Sequence, residues 1–297
     1  MSSRRALPAL ILTLAFGSAA IAQTPDAPDA AAPAKAKQPR DWSRRFESTF
    51  AFVLNPLGIQ EAIDVTWSRR LNDSEALIRK DAHVAFGLSS KLTPAFERVG
   101  AWVEYSPLSI VDLRVGVEPV YYFGTFKAFL PFARANARFD DDVIEERRPE
   151  AASGFAGRIY FAPVLKARAG SVVARVRAEF SRFRAQKAGE PFFYEPAWDT
   201  LIRAKGSTVA TLEAVALREF HVSDRTTVLL GPVYDLTRVA EATVNRKQDI
   251  GLLAVWSRSG RFHGVKDPGL VAKIFYFLED PWRRHEPAAQ LAVLFAF

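Results

Sequence analysis

Cysteine is absent from the 297 residues, and methionine occurs only at the start. The first absence excludes disulfides, thiolate metal sites, thiol nucleophiles and a lipidated cysteine. Beyond the first twenty or so residues there is also no apolar run of the roughly 20 residues that a membrane-spanning helix needs. Hydrophobic residues still make up 49% of the chain and aromatic residues 12%. Because Val, Leu, Ala and Phe carry that apolar content, the composition favours strands.

The charge of the chain is mildly basic, with a formal net value of +7. Nucleic-acid binding calls for Lys and Arg gathered into a stripe or a tail. Here they are spread singly along alternating segments, so we expect no nucleic-acid partner.

The first 22 residues have the layout of a secretory signal peptide. A basic start with Arg4 and Arg5 precedes an apolar stretch from 6 to 16, and a small-residue ending of the A-x-A type occupies 20–22. An uncleaved membrane anchor is the alternative, although the apolar stretch is short for one. Residues 23–44 are rich in Ala and Pro, and the part up to Arg40 has no large apolar residue, so we expect an extended periplasmic tail.

The last ten residues, AAQLAVLFAF, predict a strand with one apolar face, and Leu294 is the exception on its other face. An ordinary edge strand is the alternative, but soluble proteins rarely leave a flat apolar strand unblunted. The pattern resembles the C-terminal insertion signal of Gram-negative outer-membrane β-barrel proteins, which the barrel-assembly machinery recognises. That resemblance implies a bacterial outer-membrane location, and the residues that carry it are Leu291, Val293, Phe295 and Phe297.

Segments of about ten residues with period-two alternation fill the chain from 45 to 297, as in a membrane barrel. A soluble sandwich shares such alternation. With the two termini, it predicts an all-β fold, a transmembrane antiparallel up-and-down β-barrel of about 12 strands, with ten or fourteen as alternatives. The predicted strands are 46–54, 59–70, 80–91, 96–106, 109–122, 154–166, 171–184, 207–220, 225–237, 249–258, 269–280 and 287–297.

Connection lengths predict the orientation, because outer-membrane barrels keep short turns in the periplasm and long loops outside. With the C-terminus in the periplasm, the connections 106–109, 166–171 and 221–225 become periplasmic turns. Outside lie 123–153, 185–206, 238–248 and 281–286. The fit is poorer early in the chain, where the outside connections are short, so the first hairpins are the least certain in register.

The polar faces of the predicted strands carry acids and bases that would line the lumen. Arginines facing acids on adjacent strands either leave a wet channel or satisfy one another and fill a closed barrel. These predicted lumen-lining residues are Arg98, Glu104, Asp112, Arg114, Glu118, Arg158, Arg175, Arg177 and Glu179.

The longest predicted loop contains an acidic run, which is open to three interpretations. It could be a solvated charge run, or bind a divalent cation through clustered carboxylates. The sharper hypothesis is that the loop folds into the barrel, as the third loop of general porins does, and sets its acids against the lumen arginines as a constriction. The aromatic stretch 121–132 that opens the loop would favour being covered. The acids concerned are Asp140, Asp141, Asp142, Glu145 and Glu146.

The four histidines suggest no catalytic or metal site. His83 shares a face with Ser89, but six residues of strand separate them by roughly 20 Å, too far for a hydrogen bond unless another strand supplies the serine. His221 lies in a predicted turn, and His263 and His285 are isolated in basic surroundings. We therefore expect no enzyme activity, no cofactor and no metal.

The function that the sequence favours is a passive porin-like channel for small hydrophilic solutes, with the lumen arginines favouring anions. A closed structural barrel serving as an envelope scaffold is the alternative, and an outer-membrane lipid hydrolase comes third. The expected partners are outer-membrane lipid and lipopolysaccharide, the assembly machinery and small solutes.

Overall fold

The computed structural model describes residues 42–74, 76–186, 189–242, 244–262 and 265–296. The predicted signal peptide, nearly all of the Ala/Pro-rich tail and Phe297 lie outside these residues. Within them, no helix is both long and apolar enough to cross a membrane.

Twelve long strands form one sheet that closes on itself. They are β1 (Ser43–Leu54), β2 (Gly58–Arg70), β3 (His83–Leu92), β4 (Phe96–Leu108), β5 (Val111–Phe123), β7 (Ser153–Ala169), β8 (Val172–Ala185), β11 (Ser207–Ser223), β12 (Thr226–Val239), β13 (Lys247–Arg258), β15 (Val265–Glu279) and β16 (Pro287–Ala296). The shorter elements are β6 (Pro131–Phe132), α1 (Asp141–Glu146), a 3₁₀ turn (Arg148–Glu150), β9 (Phe192–Glu195), β10 (Thr200–Arg203) and β14 (Arg261–Phe262).

Every pair of adjacent long strands is antiparallel, and β1 and β16 close the barrel by pairing from Glu47 with Ala296 to Leu54 with Ala289. The predicted barrel of about twelve strands is therefore confirmed. The loop-length rule fitted poorly at the start of the chain, but the strands there pair without interruption: β1 with β2 from Ser43 with Ser68 to Val53 with Gly58, and β2 with β3 from Glu61 with Leu92 to Arg70 with His83.

The barrel wall is apolar outside and polar over much of its inside. On β4, Val99, Val103 and Tyr105 are about half exposed and project outward, whereas Arg98 and Trp102 are buried in the lumen. The same alternation runs through β5, β7 and β8. A wall with that distribution matches acyl chains outside and a polar interior.

The two ends of the barrel differ in their connections. One end, here called the terminal end, carries the start of β1, the end of β16 and tight turns such as those at 109–110, 170–171 and 224–225, together with the longer connection 71–82. The opposite end, called the loop end, carries the long connections 124–152, 186–206 and 280–286. Residues 124–152 are called loop A and residues 186–206 loop B below.

Part of the inner wall at the terminal end is apolar. Val215, Leu217, Leu229, Val255, Val271 and Leu294 belong to one buried cluster on the inner faces of β11, β12, β13, β15 and β16. This cluster explains why Leu294 breaks the alternation of the last strand. The Leu294 side chain points into the lumen and packs in the cluster, whereas Leu291 is 44% exposed on the outer face.

Candidate functional site: the lumen and its plug

A chain of buried ion pairs runs along the inner surface of the barrel wall from β3 to β8. The Arg158 guanidinium donates to Glu118 Oε2 at 2.6 Å and to Glu179 Oε1 at 2.5 Å. Glu118 also pairs with Lys91 at 3.4 Å, and Glu179 with Arg177 at 2.8 Å. All these side chains are less than 10% exposed. Each charge therefore faces an opposite charge within hydrogen-bonding range rather than open water.

A second group of charges lies nearer the terminal end of the same wall. Arg114 pairs with Glu104 at 2.7 Å, and its guanidinium carbon lies 3.9 Å from the centre of the Trp102 ring. Trp102, an apparent exception in the polar face of β4, thus stacks inside the lumen on an arginine. Asp112 accepts from Lys166 at 2.9 Å.

The structure brings the nine predicted lumen residues into one barrel interior, but it does so as pairs. Arg175 is 2% exposed and contacts Glu213 of β11, and Arg98 is 4% exposed. The remaining seven side chains make the contacts given above. Salt-bridged in this way, these side chains are buried inside the barrel and paired with one another or with neighbouring residues.

Loops A and B fold into the loop end and pack against the wall. They join through a three-stranded sheet of β6, β9 and β10, in which Tyr194 of β9 donates its backbone N–H to the Leu130 carbonyl at 2.9 Å. Phe129 of loop A stacks on Tyr122 of the wall with ring centres 4.9 Å apart. Gly154 makes this approach possible, because a Cβ there would lie 2.6 Å from the Phe129 ring. Together the two loops form a body here called the plug.

Loop B reaches the lumen charges directly. The Arg98 guanidinium donates to Glu195 Oε1 at 2.6 Å, with the two side chains 5% and 0% exposed. The Trp198 ring lies 5.1 Å from the guanidinium carbon of Arg98 and 5.5 Å from that of Arg158. Burial raises the pKa of Glu195, although Arg98 opposes that effect.

Asp199 is the second contact point between the plug and its surroundings. Lys247 Nζ lies 2.7 Å from Asp199 Oδ2, Arg283 also pairs with it, and the Tyr194 hydroxyl donates to its other oxygen at 2.7 Å. Burial acts to raise the pKa of Asp199, but the cations of Lys247 and Arg283 outweigh it and lower the pKa to about 2. Asp199 therefore binds the plug to β13 and to connection 280–286.

The acids of loop A do not take the place predicted for them. Asp141, Asp142, Glu145 and Glu146 are exposed, and Asp140 caps α1 by accepting from the Val143 N–H at 3.1 Å. The ion pairs of this group are with residues outside the predicted set of lumen arginines, namely Arg138, Lys127, Arg148 and Arg283.

The physical reason is that loop A also carries large apolar side chains, whose burial takes precedence over that of its charges. Its aromatic and apolar side chains, among them Phe129, Phe132 and Phe139, are buried, so α1 keeps its charged face in water. The carboxylate that meets a lumen arginine is Glu195 of loop B. The sequence analysis missed Glu195. The aromatic run Phe192, Phe193, Tyr194 directly before it could have predicted a covered loop, as the aromatic stretch 121–132 did for loop A.

Another strand does bring a serine to His83. Ser106 Oγ lies 3.4 Å from His83 Nε2, and the Asp81 carbonyl lies 2.9 Å from Nδ1. Ser106, however, is 1% exposed and donates to Asp112 at 2.7 Å, so it is neither accessible nor free to give its proton to the imidazole. His221 lies near the end of β11, where it is paired with Thr227, and not in a turn as the sequence predicted. His285 lies in the connection 280–286, and His263 lies outside the described residues. No set of three metal-ligating side chains occurs in the described part of the chain.

A cavity of about 90 Å³ remains between the plug and the wall. Its charged lining comes from both, with Asp199 of loop B opposite Lys247, Asp235, Asp249 and Lys273 of the wall. Lys273 bridges Asp235 at 2.6 Å and Asp249 at 2.8 Å. The charged groups of the cavity are thus mostly neutralised by their own ion pairs, and apolar side chains such as Leu212, Leu236 and Phe277 complete the lining.

A closed antiparallel barrel with an apolar exterior and a charged interior defines an outer-membrane β-barrel protein. Among solved structures, the chain is similar to the β domain of the Bordetella autotransporter BrkA (12% identity, TM-score 0.42, 86% of this chain and 97% of that one). It is also similar to the NanC porin (8%, 0.41, 85% and 98%) and to the translocator domain of the autotransporter NalP from Neisseria meningitidis (8%, 0.40, 86% of each). No family model and no curated protein matches it.

Proposed function

We propose that this protein is exported by a signal peptide over residues 1–22 and stands in the bacterial outer membrane as a barrel that is closed at rest, with a structural role in the envelope. Two observations support this proposal. The plug packs into the loop end through a buried apolar cluster, and buried ion pairs around Arg158 lie in the lumen beneath it.

The passive channel, which the sequence favours, is the second candidate. The cavity of about 90 Å³ supports it, because that space lies where the plug meets the wall and would widen if the plug moved. The ion pairs of the plug with the wall there are made by Glu195 and Asp199, so a channel of this kind would be gated by those two contacts.

Planar-bilayer recording of the refolded full chain tests both candidates. The closed barrel predicts no conductance steps at low voltage from the wild type, nor from a double variant Glu195→Ala, Asp199→Ala. Steps from the double variant alone would establish a gated channel in place of the scaffold. Steady steps from the wild type would overturn closure at rest. The variant Arg148→Ala, which alters an exposed arginine of loop A, is the matched control, and heat-modifiable gel mobility shows that each protein has folded.

A further inference from the structure

The outer surface of the barrel has a dent near the loop end. Pro119 of β5 is paired with Gly157 of β7, and Gly157 with Arg184 of β8. A Cβ added at Gly157 would meet a single neighbour, the Glu118 carbonyl oxygen at 3.9 Å, so the surface is open there. Val117 and Ile159 form the adjacent apolar row.

Arginines stand beside this dent on a wall that otherwise faces lipid. Arg182 is paired with Ile159 in the register of β7 and β8, and its side chain is 59% exposed. Arg184 is exposed two residues further on, about 7 Å along the strand. A guanidinium on the lipid-facing side of a barrel is costly unless it lies at the level of the headgroups. The position of both near the loop end of β8 meets that condition.

Arg182 is held in place rather than left to sample many rotamers. Its Nη1 donates to Thr208 Oγ1 at 3.0 Å and to Glu241 Oε1 at 3.2 Å. Gly206 has φ of +138°, and a Cβ there would lie 2.7 Å from Arg182 Nη2, so the glycine gives the guanidinium its room. The ordering cost of the arginine is thus met before any ligand binds.

We propose that this surface binds a phosphorylated, multiply acylated glycolipid of the outer leaflet, with a phosphate on Arg182 and Arg184 and an acyl chain in the dent at Gly157. Charge complementarity selects the headgroup, because two guanidinium groups outweigh the single carboxylate of Glu241 beside Arg182 and bind phosphate through charge-assisted hydrogen bonds. The dent selects the chain, since it provides apolar surface directly beside the cations. The inference rests on the proposed orientation, in which the loop end faces outward.

The test is retention of lipid by the refolded full chain in detergent, counted by native mass spectrometry. The probes are hexa-acylated diphosphoryl lipid A and, for comparison, phosphatidylethanolamine. We expect lipid A to be retained in preference, and retention to fall about ten-fold in Arg184→Ala and further in Arg182→Ala, Arg184→Ala. Gly157→Leu should lower retention by filling the dent with the arginines intact.

Matched controls lie on the same outer wall. Arg69→Ala removes an exposed arginine at the terminal end, and Ala101→Leu adds bulk at an outward position of β4. Both should retain lipid A as the wild type does. Equal retention by Arg184→Ala and the wild type, or equal retention of phosphatidylethanolamine, would overturn the inference.

The orientation is tested separately by cysteine labelling. Because the chain has no cysteine, an introduced cysteine is its single reactive thiol. The variant Asn136→Cys, at an exposed position of loop A, should react with a membrane-impermeant maleimide on intact cells. Labelling only after the outer membrane is broken would refute the orientation, and with it the leaflet, whatever the purified protein retains. Labelling on intact cells combined with unselective lipid retention would refute the lipid site alone.

Discussion

Replacing Arg158 by methionine should destabilise the barrel by about 3 kcal/mol. Arg158 is the shared partner of Glu118 and Glu179, and all three side chains are 3–5% exposed. Breaking a buried ion pair costs about 3–5 kcal/mol, because it leaves a charge unpaired away from water. The lower end applies here, since Glu118 keeps Lys91 and Glu179 keeps Arg177.

The assay is equilibrium unfolding in urea of the refolded protein in detergent or thin bilayers, followed by tryptophan fluorescence and gel mobility. Arg69→Met on the outer surface is the control and should stay within about 0.5 kcal/mol of the wild type. A variant that replaces all five residues of the chain of ion pairs, Lys91→Met, Glu118→Gln, Arg158→Met, Arg177→Met and Glu179→Gln, removes the charges together and should recover most of the loss. If Arg158→Met unfolds at the same urea concentration as the wild type, water in the lumen must solvate both carboxylates. The closed interior would then be refuted.

Two further predictions concern the plug and the last strand. Because the pKa of Asp199 lies at about 2 when folded against an ordinary 3.8, its ion pairs should stabilise the plug above pH 3.8 and be lost as the pH falls towards 2. The hydrogen-exchange protection factors of loop B, which correct for the pH dependence of intrinsic exchange, should fall in that window, and in Asp199→Asn they should be lower already at neutral pH. Unchanged protection in the variant would contradict the assignment. Leu294→Ala should lower the free energy of unfolding in urea by about 2–4 kcal/mol, because it leaves a cavity in the buried apolar cluster. Leu291→Ala, on the lipid-facing side of the same strand, should lower it by less. The reverse order would show that the side chains of β16 face the opposite way.

The twelve strands could be predicted from the sequence because alternation and turn residues are local signals. A period of two tells which side chains share a face, and the connection lengths tell at which end a strand turns. Leu294 and Trp102 break that alternation, and periodicity alone cannot explain why, because the cause lies in their neighbours in the folded barrel. Each occupies a lumen site where its neighbours, an apolar cluster or the Arg114 guanidinium, favour a large side chain over water.

The contents of the lumen could be predicted only in part. That arginines and acids would share one interior follows from alternation, but their pairing with residues distant in the chain does not. Arg98 and Glu195 are 97 residues apart, and no local pattern selects that partner among several acidic residues. The acids of loop A were the more obvious candidates by charge density, yet clustered acids favour water, whereas a single carboxylate within an aromatic run can be buried against one cation.

Closure by the plug is a shared property of two loops. Loops A and B flank the same hairpin, β7–β8, and their backbones pair with each other through β6 and β9. This pairing satisfies backbone groups of both loops and helps to cover Phe129 and Phe193, whose rings lie 4.7 Å apart. Displacing one loop would therefore expose the apolar face and the strand edge of the other, so the plug should move as a whole or not at all. Opening of this barrel, if an effector produces it, is then expected as a single large step in conductance, not as the graded widening that one mobile constriction loop would give.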